Sequence, residues 1–306
     1  MLDCLVGSEM CIRDRITHLL AIDGGGTKTA LRLTALNSLA TNPAFILTVG
    51  PSSLTQQKEQ AYHQIREAIE TCLAQVKLTP QQVFIVIGVA GAGNVNARQA
   101  LERSLLSYPN CLVTTDAHIS LLGVNQGQAV NCLAIGTGSV ATRLEADGST
   151  QMYGGWGFPI GDQGGGAWLG QQAVQALIEA VEQHTTSPLT DYLSEHLGSQ
   201  RGDILQWLTT ANASRFAQLV PALLDHAYQG CPVSHEIVRR GQIHIDELVT
   251  KCCENNELDI AFLGSLGAYY QQNISDKWRS RLITPKGDAL DGATLLARQQ
   301  VEIRNG

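Results

Sequence analysis

The sequence predicts an α/β protein built from two duplicated lobes, each opening on antiparallel strands and running β-β-β-α-β-α-β. Three observations carry this. The stretch Leu19–Leu33, LLAIDGGGTKTALRL, is an apolar strand, a glycine-rich tip and a second strand that alternates apolar and polar residues. The stretch Asn131–Leu144, NCLAIGTGSVATRL, repeats the pattern: Leu-Ala-Ile precedes both tips, and Arg32-Leu33 and Arg143-Leu144 close them. Between them lie a 3.6-periodic helix and a continuous apolar run of the kind that fills a parallel strand.

Taken in order, strands are predicted over 16–22, 29–36 and 44–49, with a turn at Gly50-Pro51-Ser52-Ser53-Leu54. A helix over Lys58–Val76 places Ala61, Ile65, Ala68, Ile69, Cys72 and Leu73 on one face. Val83–Val89 is a buried strand, Arg98–Leu106 a short helix and Cys111–Thr114 another strand ending at Thr115-Asp116. Residues 117–127 are expected to cross to the second lobe. That lobe continues with a helix over Ala167–Val181, a long helical region from Leu189 to Cys252, a strand over Ile260–Leu263, a tight turn at Gly264–Gly267 and a helix from Ala268. A terminal helix over Leu290–Gln300 is expected to pack back on the first lobe. The domain division read this way is 16–120, 121–288 and 289–306. The first fifteen residues fit no element, lack the layout of a signal peptide and resemble translated adaptor sequence, so the natural chain is expected to begin near Ile16.

The bulk properties narrow the function. The chain has 306 residues and a net charge of −7, with 44% hydrophobic and 16% charged residues, enough to bury a core. No Lys/Arg run suggests nucleic acid or an anionic membrane, and no apolar run reaches a membrane span. Eight cysteines include no C-x-x-C pair, which argues against zinc or a cluster; with Cys72, Cys111 and Cys132 in apolar surroundings, a reducing cytosol fits.

Two glycine-threonine tips suit an anion, because glycine lets backbone N–H groups approach it closely. Asp23, at a strand end, is placed to hold a hydrated cation; Thr27 and Thr137 offer hydroxyls. Neither a P-loop nor a dinucleotide fingerprint is present at the first tip, and an ordinary glycine-rich turn is the plain alternative. Asp116 ends a strand, where an acid can face a ligand crevice and accept a hydroxyl proton, or can simply cap the next helix. The segment Tyr153–Gly170 holds eight glycines, two tryptophans and one acid, Asp162. It reads as a sugar cradle or a surface loop, with Trp156 and Phe158 expected to be buried. Gly88–Asn94 either approaches substrate or is a tight turn. His118 reads as a packing residue.

In combination, DGGGT, TTDA, GTGS, GGWGFPIGDQGG, the C-terminal glycine turn and GDALDGA resemble the N-acetylglucosamine/glucosamine kinases of the BadF/BadG-type ATPase group, within the sugar kinase/actin superfamily. The resemblance spans residues 16–300. It implies a two-lobed actin-like ATPase (ribonuclease H-like) fold and ATP-dependent phosphorylation of glucosamine or N-acetylglucosamine at the 6-hydroxyl in the cytoplasm, with Mg²⁺ and as a homodimer. By position, Asp116 would be the base. Asp23, Gly24, Gly25, Gly26, Thr27, Lys28, Gly136, Thr137, Gly138, Gly264, Ser265, Leu266 and Gly267 would hold ATP, with Asp23 reaching Mg²⁺ through water. Ser53, Ser139, Val140, Gly155, Trp156, Gly157 and Asp162, with Asp116, would hold the sugar. Ser53 and Val140 stand where such kinases often carry Asn, and Gln163 where Glu is common, so the preferred sugar is left open. The same resemblance allows an ATPase that activates a dehydratase or reductase. The absence of Cys from 153–170 argues against that alternative, and no helix-turn-helix segment supports a regulator.

Overall fold

The computed structural model describes residues 16–37, 43–55 and 58–305; the N-terminal fifteen residues lie outside the described ones. The chain divides into two compact units, 1–128 with 285–306, and 129–284.

In the first unit, β1 (His18–Gly24), β2 (Thr29–Ala35), β3 (Phe45–Val49), α1 (Lys58–Val76), β4 (Val83–Val89), α2 (Val95–Ser104), β5 (Cys111–Thr114) and α3 (Asp116–Val124) follow in order. The sheet order is β3-β2-β1-β4-β5, with β1 antiparallel to β2 and parallel to β4. Central strands must satisfy apolar neighbours on both faces: β4, VFIVIGV, is buried at every position. Leu20 and Ile22 share a core with Ile65, Ile69 and Cys72 of α1. Alternation turns Leu19, Ala21 and Asp23 to the opposite face. Helix α2 begins at Val95, ahead of the expected Arg98, because the Asn94 side chain accepts the Ala97 N–H at 3.1 Å.

The last helix, α12 (Ala289–Asn305), packs on β1 and α3 within this unit. Residues 117–124 therefore do not cross over; they form α3, and the division falls after Gln128 and Thr284 instead of after 120 and 288. Backbone contact is the reason. A Cβ on Gly123 would lie 2.0 Å from the Asp288 carbonyl oxygen, and one on Gly292 would lie 1.9 Å from that of Ile119. The Lys286 N–H donates to the Val124 carbonyl at 2.8 Å.

The second unit runs β6 (Val130–Ile135), β7 (Ser139–Leu144), β8 (Thr150–Gly154), α4 (Gly166–Gln183), α5 (Pro188–Leu197), α6 (Arg201–Leu208), α7 (Ala213–Ala217), α8 (Val220–Tyr228), α9 (Pro232–Cys252), β9 (Ile260–Leu263), α10 (Gly267–Asn273) and α11 (Asp276–Arg279). Its sheet order, β8-β7-β6-β9, matches the first four positions of the other sheet. The fifth position of the expected repeat is reduced to a parallel bridge between Ile260 and Leu282. Pro285 follows closely and cannot donate to a ladder. The expected long helical region is five helices, α5 to α9. Breaks come at Gly198 (φ 102°) and at Gly230 (φ 86°) ahead of Pro232. Among the described residues no helix is long and apolar enough to cross a membrane.

Gly123→Ala is expected to cost about 1–3 kcal/mol, since the new methyl meets backbone and not a yielding side chain; the midpoint of urea unfolding measures it.

Candidate active site

Each unit gathers its own predicted segments at one end of its sheet. In the first unit the tip after β1 closes with the Gly25 N–H donating to the Lys28 carbonyl at 2.9 Å, and Gly26, Thr27 and Lys28 are exposed. Gly24 is required by space, since a Cβ there would meet Ser52 Oγ at 2.5 Å and Val89 Cγ2 at 3.1 Å. Below the tip, buried Thr29 Oγ1 donates to the Gly50 carbonyl at 2.8 Å and is hydrogen-bonded to Ser52 Oγ at 2.6 Å. Ser52 is thus the serine tied to the tip. Ser53 is half-buried and pairs with Thr55 Oγ1 at 2.7 Å. The Gly88–Asn94 segment resolves as the tight turn: Ala90 donates to the Gly24 carbonyl at 2.8 Å and accepts from Leu54 at 2.8 Å, bracing the tip.

Asp116 occupies the first turn of α3, but the cap is Thr115, whose Oγ1 accepts the His118 N–H at 3.0 Å. Thr115 thus takes the capping role that could have accounted for Asp116. The Asp116 carboxylate is half-buried, its Oδ1 accepting the Ala117 N–H at 2.9 Å. His118 Nδ1 pairs with Thr114 Oγ1 at 2.9 Å, and burial holds its pKa below the usual value, so it is a neutral packing residue.

Asp23 is half-buried and its pKa is raised, first by burial and then by the Asp116 and Asp288 charges, against Lys28. Asp288 was given no role from the sequence, and neither was its neighbourhood. Asp288 and Asp291 cap α12 reciprocally: the Asp291 N–H donates to Asp288 Oδ1 at 2.8 Å and the Asp288 N–H to Asp291 Oδ2 at 2.9 Å. The Arg32 guanidinium donates to both, at 2.9 Å to Asp288 and 2.5 Å to Asp291. Two acids three apart in GDALDGA, ahead of a helical pattern, were the available signal.

In the second unit three predicted segments meet. The Gly136 N–H donates to the Gly138 carbonyl at 2.9 Å, leaving Thr137 exposed at the tip. The start of α4 donates back to the tip: Gly166 to Gly136 and Ala167 to Thr137, both at 2.8 Å. Asp162, at φ 62°, accepts the Gly157 N–H at 3.0 Å, and a Cβ on Gly138 would lie 2.2 Å from its Oδ2. Ser139 Oγ donates to the Gln163 carbonyl at 2.9 Å. From the other side Leu266 donates to the Ile135 carbonyl at 3.0 Å, while a Cβ on Gly264 would lie 2.3 Å from that oxygen. Ser265 and Gly267 complete this turn, Gly267 donating to the Gly264 carbonyl at 3.1 Å. Val140 is half-buried against Gly155.

One expectation fails here. Trp156 is 88% exposed, not buried. Gly154, Gly155 and Gly157 all take positive φ and carry the backbone outward around it. The buried tryptophan of this segment is Trp168, in α4, and Phe158 packs at the core edge, its ring 5.4 Å from that of Phe216.

Among the described residues no group of three His, Cys, Asp or Glu side chains stands ready to hold a metal ion. A hard cation that keeps its waters and takes its remaining oxygens from phosphates needs only one or two carboxylates, and Asp23 in its acidic surroundings fits that chemistry. Burial pushes the thiols of Cys111 and Cys132 up to about 12 and that of Cys72 to about 11, so they are inert.

The profile of the BadF/BadG/BcrA/BcrD ATPase family matches residues 20–269. The chain belongs to that family. It is 26% identical over 288 residues to glucosamine kinase GspK of Vibrio cholerae, covering 92% of this chain and 96% of that protein. To the N-acetyl-D-glucosamine kinase of Dictyostelium discoideum it is 26% identical over 258 residues, 78% of this chain and 80% of that one. A crystal structure from Chromobacterium violaceum, described as a candidate N-acetylglucosamine kinase, superposes with a TM-score of 0.82 at 30% identity, covering 92% of this chain and 99% of that one. The fold is the actin-like ATPase fold of these proteins.

Asp23→Asn is expected to separate stability from activity. A carboxylate whose folded pKa is raised costs stability at pH above its unfolded pKa, and the cost fades as pH falls through the folded value. The substitution should therefore raise Tm at pH 7.5, with the gain shrinking toward pH 4, while nucleotide-dependent activity is lost. Thermal melts across that pH range check the sign.

Proposed function

We propose that this protein is an ATP-dependent amino-sugar kinase that phosphorylates glucosamine or N-acetylglucosamine at the 6-hydroxyl. The observation that carries it is Asp116: a half-buried carboxylate in the first turn of α3, just past β5, with Thr115 as the helix cap, sharing its end of the sheet with Asp23 and an exposed glycine-threonine tip. Kinship with glucosamine and N-acetylglucosamine kinases supports the substrate class.

In this reading the sugar hydroxyl passes its proton to Asp116 as its oxygen attacks the γ-phosphorus. The bond to the β–γ bridging oxygen breaks and ADP departs. Thr27, Lys28 and the backbone of Gly24–Gly26 are assigned to phosphate oxygens, as are Gly136, Thr137 and Gly138. Asp23 would hold Mg²⁺ through water, and the ion would neutralise charge on the phosphates. Ser53, Ser139, Val140, Gly155, Trp156, Gly157 and Asp162 bear on the sugar, with Asp162 oriented by the Gly157 N–H.

The nucleoside is assigned to Gly264–Gly267 and beyond. Helix α10, which starts at that turn, brings Tyr269 to the wall of a cavity of about 470 Å³, shared with Tyr228 and Gln242. The Gln242 Oε1 is buried without a hydrogen-bond partner. An aromatic wall suits a purine ring. The second copy of a homodimer is carried over from the resemblance.

The test is ADP release with ATP and Mg²⁺ across glucosamine, N-acetylglucosamine, glucose, N-acetylmannosamine and no sugar. Turnover confined to an amino sugar is expected. Equal release without sugar would transfer the protein to the activator-type ATPases. Asp116→Asn should lower kcat at least about 100-fold with sugar KM little changed; an Asp116→Asn enzyme that keeps most of its kcat would refute the base. Tyr269→Ala should raise the KM for ATP and leave that for sugar unmoved.

A further inference from the structure

The Arg32 side chain has an unusual setting for a cation on an edge-side strand. Arg32 pairs with Ala21 across the β1–β2 ladder, and the next pair on the same face is Asp23 with Ala30. Its side chain is 15% exposed and spends two guanidinium nitrogens on Asp288 and Asp291, which themselves cap α12. The charges at this end of the unit are four carboxylates, Asp23, Asp116, Asp288 and Asp291, against two cations, Lys28 and Arg32. A nucleotide polyphosphate bringing further negative charge to the Gly24–Lys28 tip would meet an acidic field, and removal of Arg32 would leave Lys28 alone against four acids.

We propose that Arg32 is a positioning residue for nucleotide binding: by holding and neutralising Asp288 and Asp291 it lowers the acidic field at the tip enough for the phosphates to bind, while leaving Asp23 and Asp116 unpaired for their own work. This rests on the kinase reading for the nucleotide, but not on which sugar is used. The arrangement separates two jobs on one sheet end. Asp288 and Asp291 order the start of α12, whose backbone contact with α3 sets the position of Asp116. Their charge would oppose the nucleotide, and Arg32 offsets it.

Calorimetric titration of the full chain with MgADP tests this. Arg32→Gln is expected to weaken binding about tenfold at about 0.05 M salt. The difference from wild type should shrink to about twofold or less at about 1 M salt, where the screening length is about 3 Å. Arg32→Gln combined with Asp288→Asn should recover affinity to within about threefold of wild type, because the excess charge is gone while Asn still caps the helix. Arg32→Lys, which keeps the charge and loses the fork, should bind as wild type even if its Tm falls. Unchanged affinity in Arg32→Gln would overturn the inference. So would a loss that persists at high salt, one that the Asp288→Asn change does not reverse, or one that Arg32→Lys shares; each would make Arg32 structural only. Wild-type protein that binds no MgADP would overturn the kinase reading and this inference together, which distinguishes the two failures.

Discussion

Backbone contact between α3 and α12 is the constraint on which the first unit's site depends. Gly123 lies against the Asp288 carbonyl and Gly292 against that of Ile119, distances at which any side chain would push the helices apart. Both helices begin at the functional end of the sheet. Asp116 opens α3, and Asp288 precedes the first residue of α12. With β1 packed against α12 as well, Asp23, Asp116 and Asp288 come to share one neighbourhood, close enough for their charges to raise the pKa of Asp23. A half-buried acid with two acids nearby is an expensive thing to build.

The second unit solves a similar problem with a different device. Its tip, Gly136–Gly138, is held by peptide groups from both sides, α4 donating from one and the turn after β9 from the other. Three glycines, 138, 165 and 264, have no room for a Cβ because backbone or the Asp162 carboxylate already occupies it. The hairpins look alike in sequence, but their arginines do different work. Arg32 lies four pairs from Gly24–Thr29, counting that pair, and turns to the acids of α12. Arg143 sits one pair deeper in its ladder, opposite Asn131, so it faces the other way relative to its tip and donates to the carbonyls of Cys252 and Glu254. A one-residue shift in register reverses the face of a strand side chain, and it sends one arginine to carboxylates and the other to carbonyls.

Fold and site were legible in unequal measure. Helix α1 and strands β4, β5 and β9 were read to the residue because each is a clean apolar pattern bounded by turn residues. The division between units was not, because α3 carries so much apolar surface that its sequence does not say which neighbour covers it; α12 does so from more than 160 residues away. Trp156 misled for a related reason. Its size suggested burial, but three left-handed glycines around it determine where it goes.

The sequence by itself determined what depends on local geometry: the two glycine-threonine tips, the strands that present them, the acid at each strand end and the family that combination identifies. Only the tertiary structure decided the rest. It showed that Thr115 and not Asp116 caps α3, that Ser52 braces the first tip, and that Asp288 and Asp291 hold Arg32. These are contacts between residues up to 259 positions apart, set by how closely two helices can cross, and no local pattern records that distance.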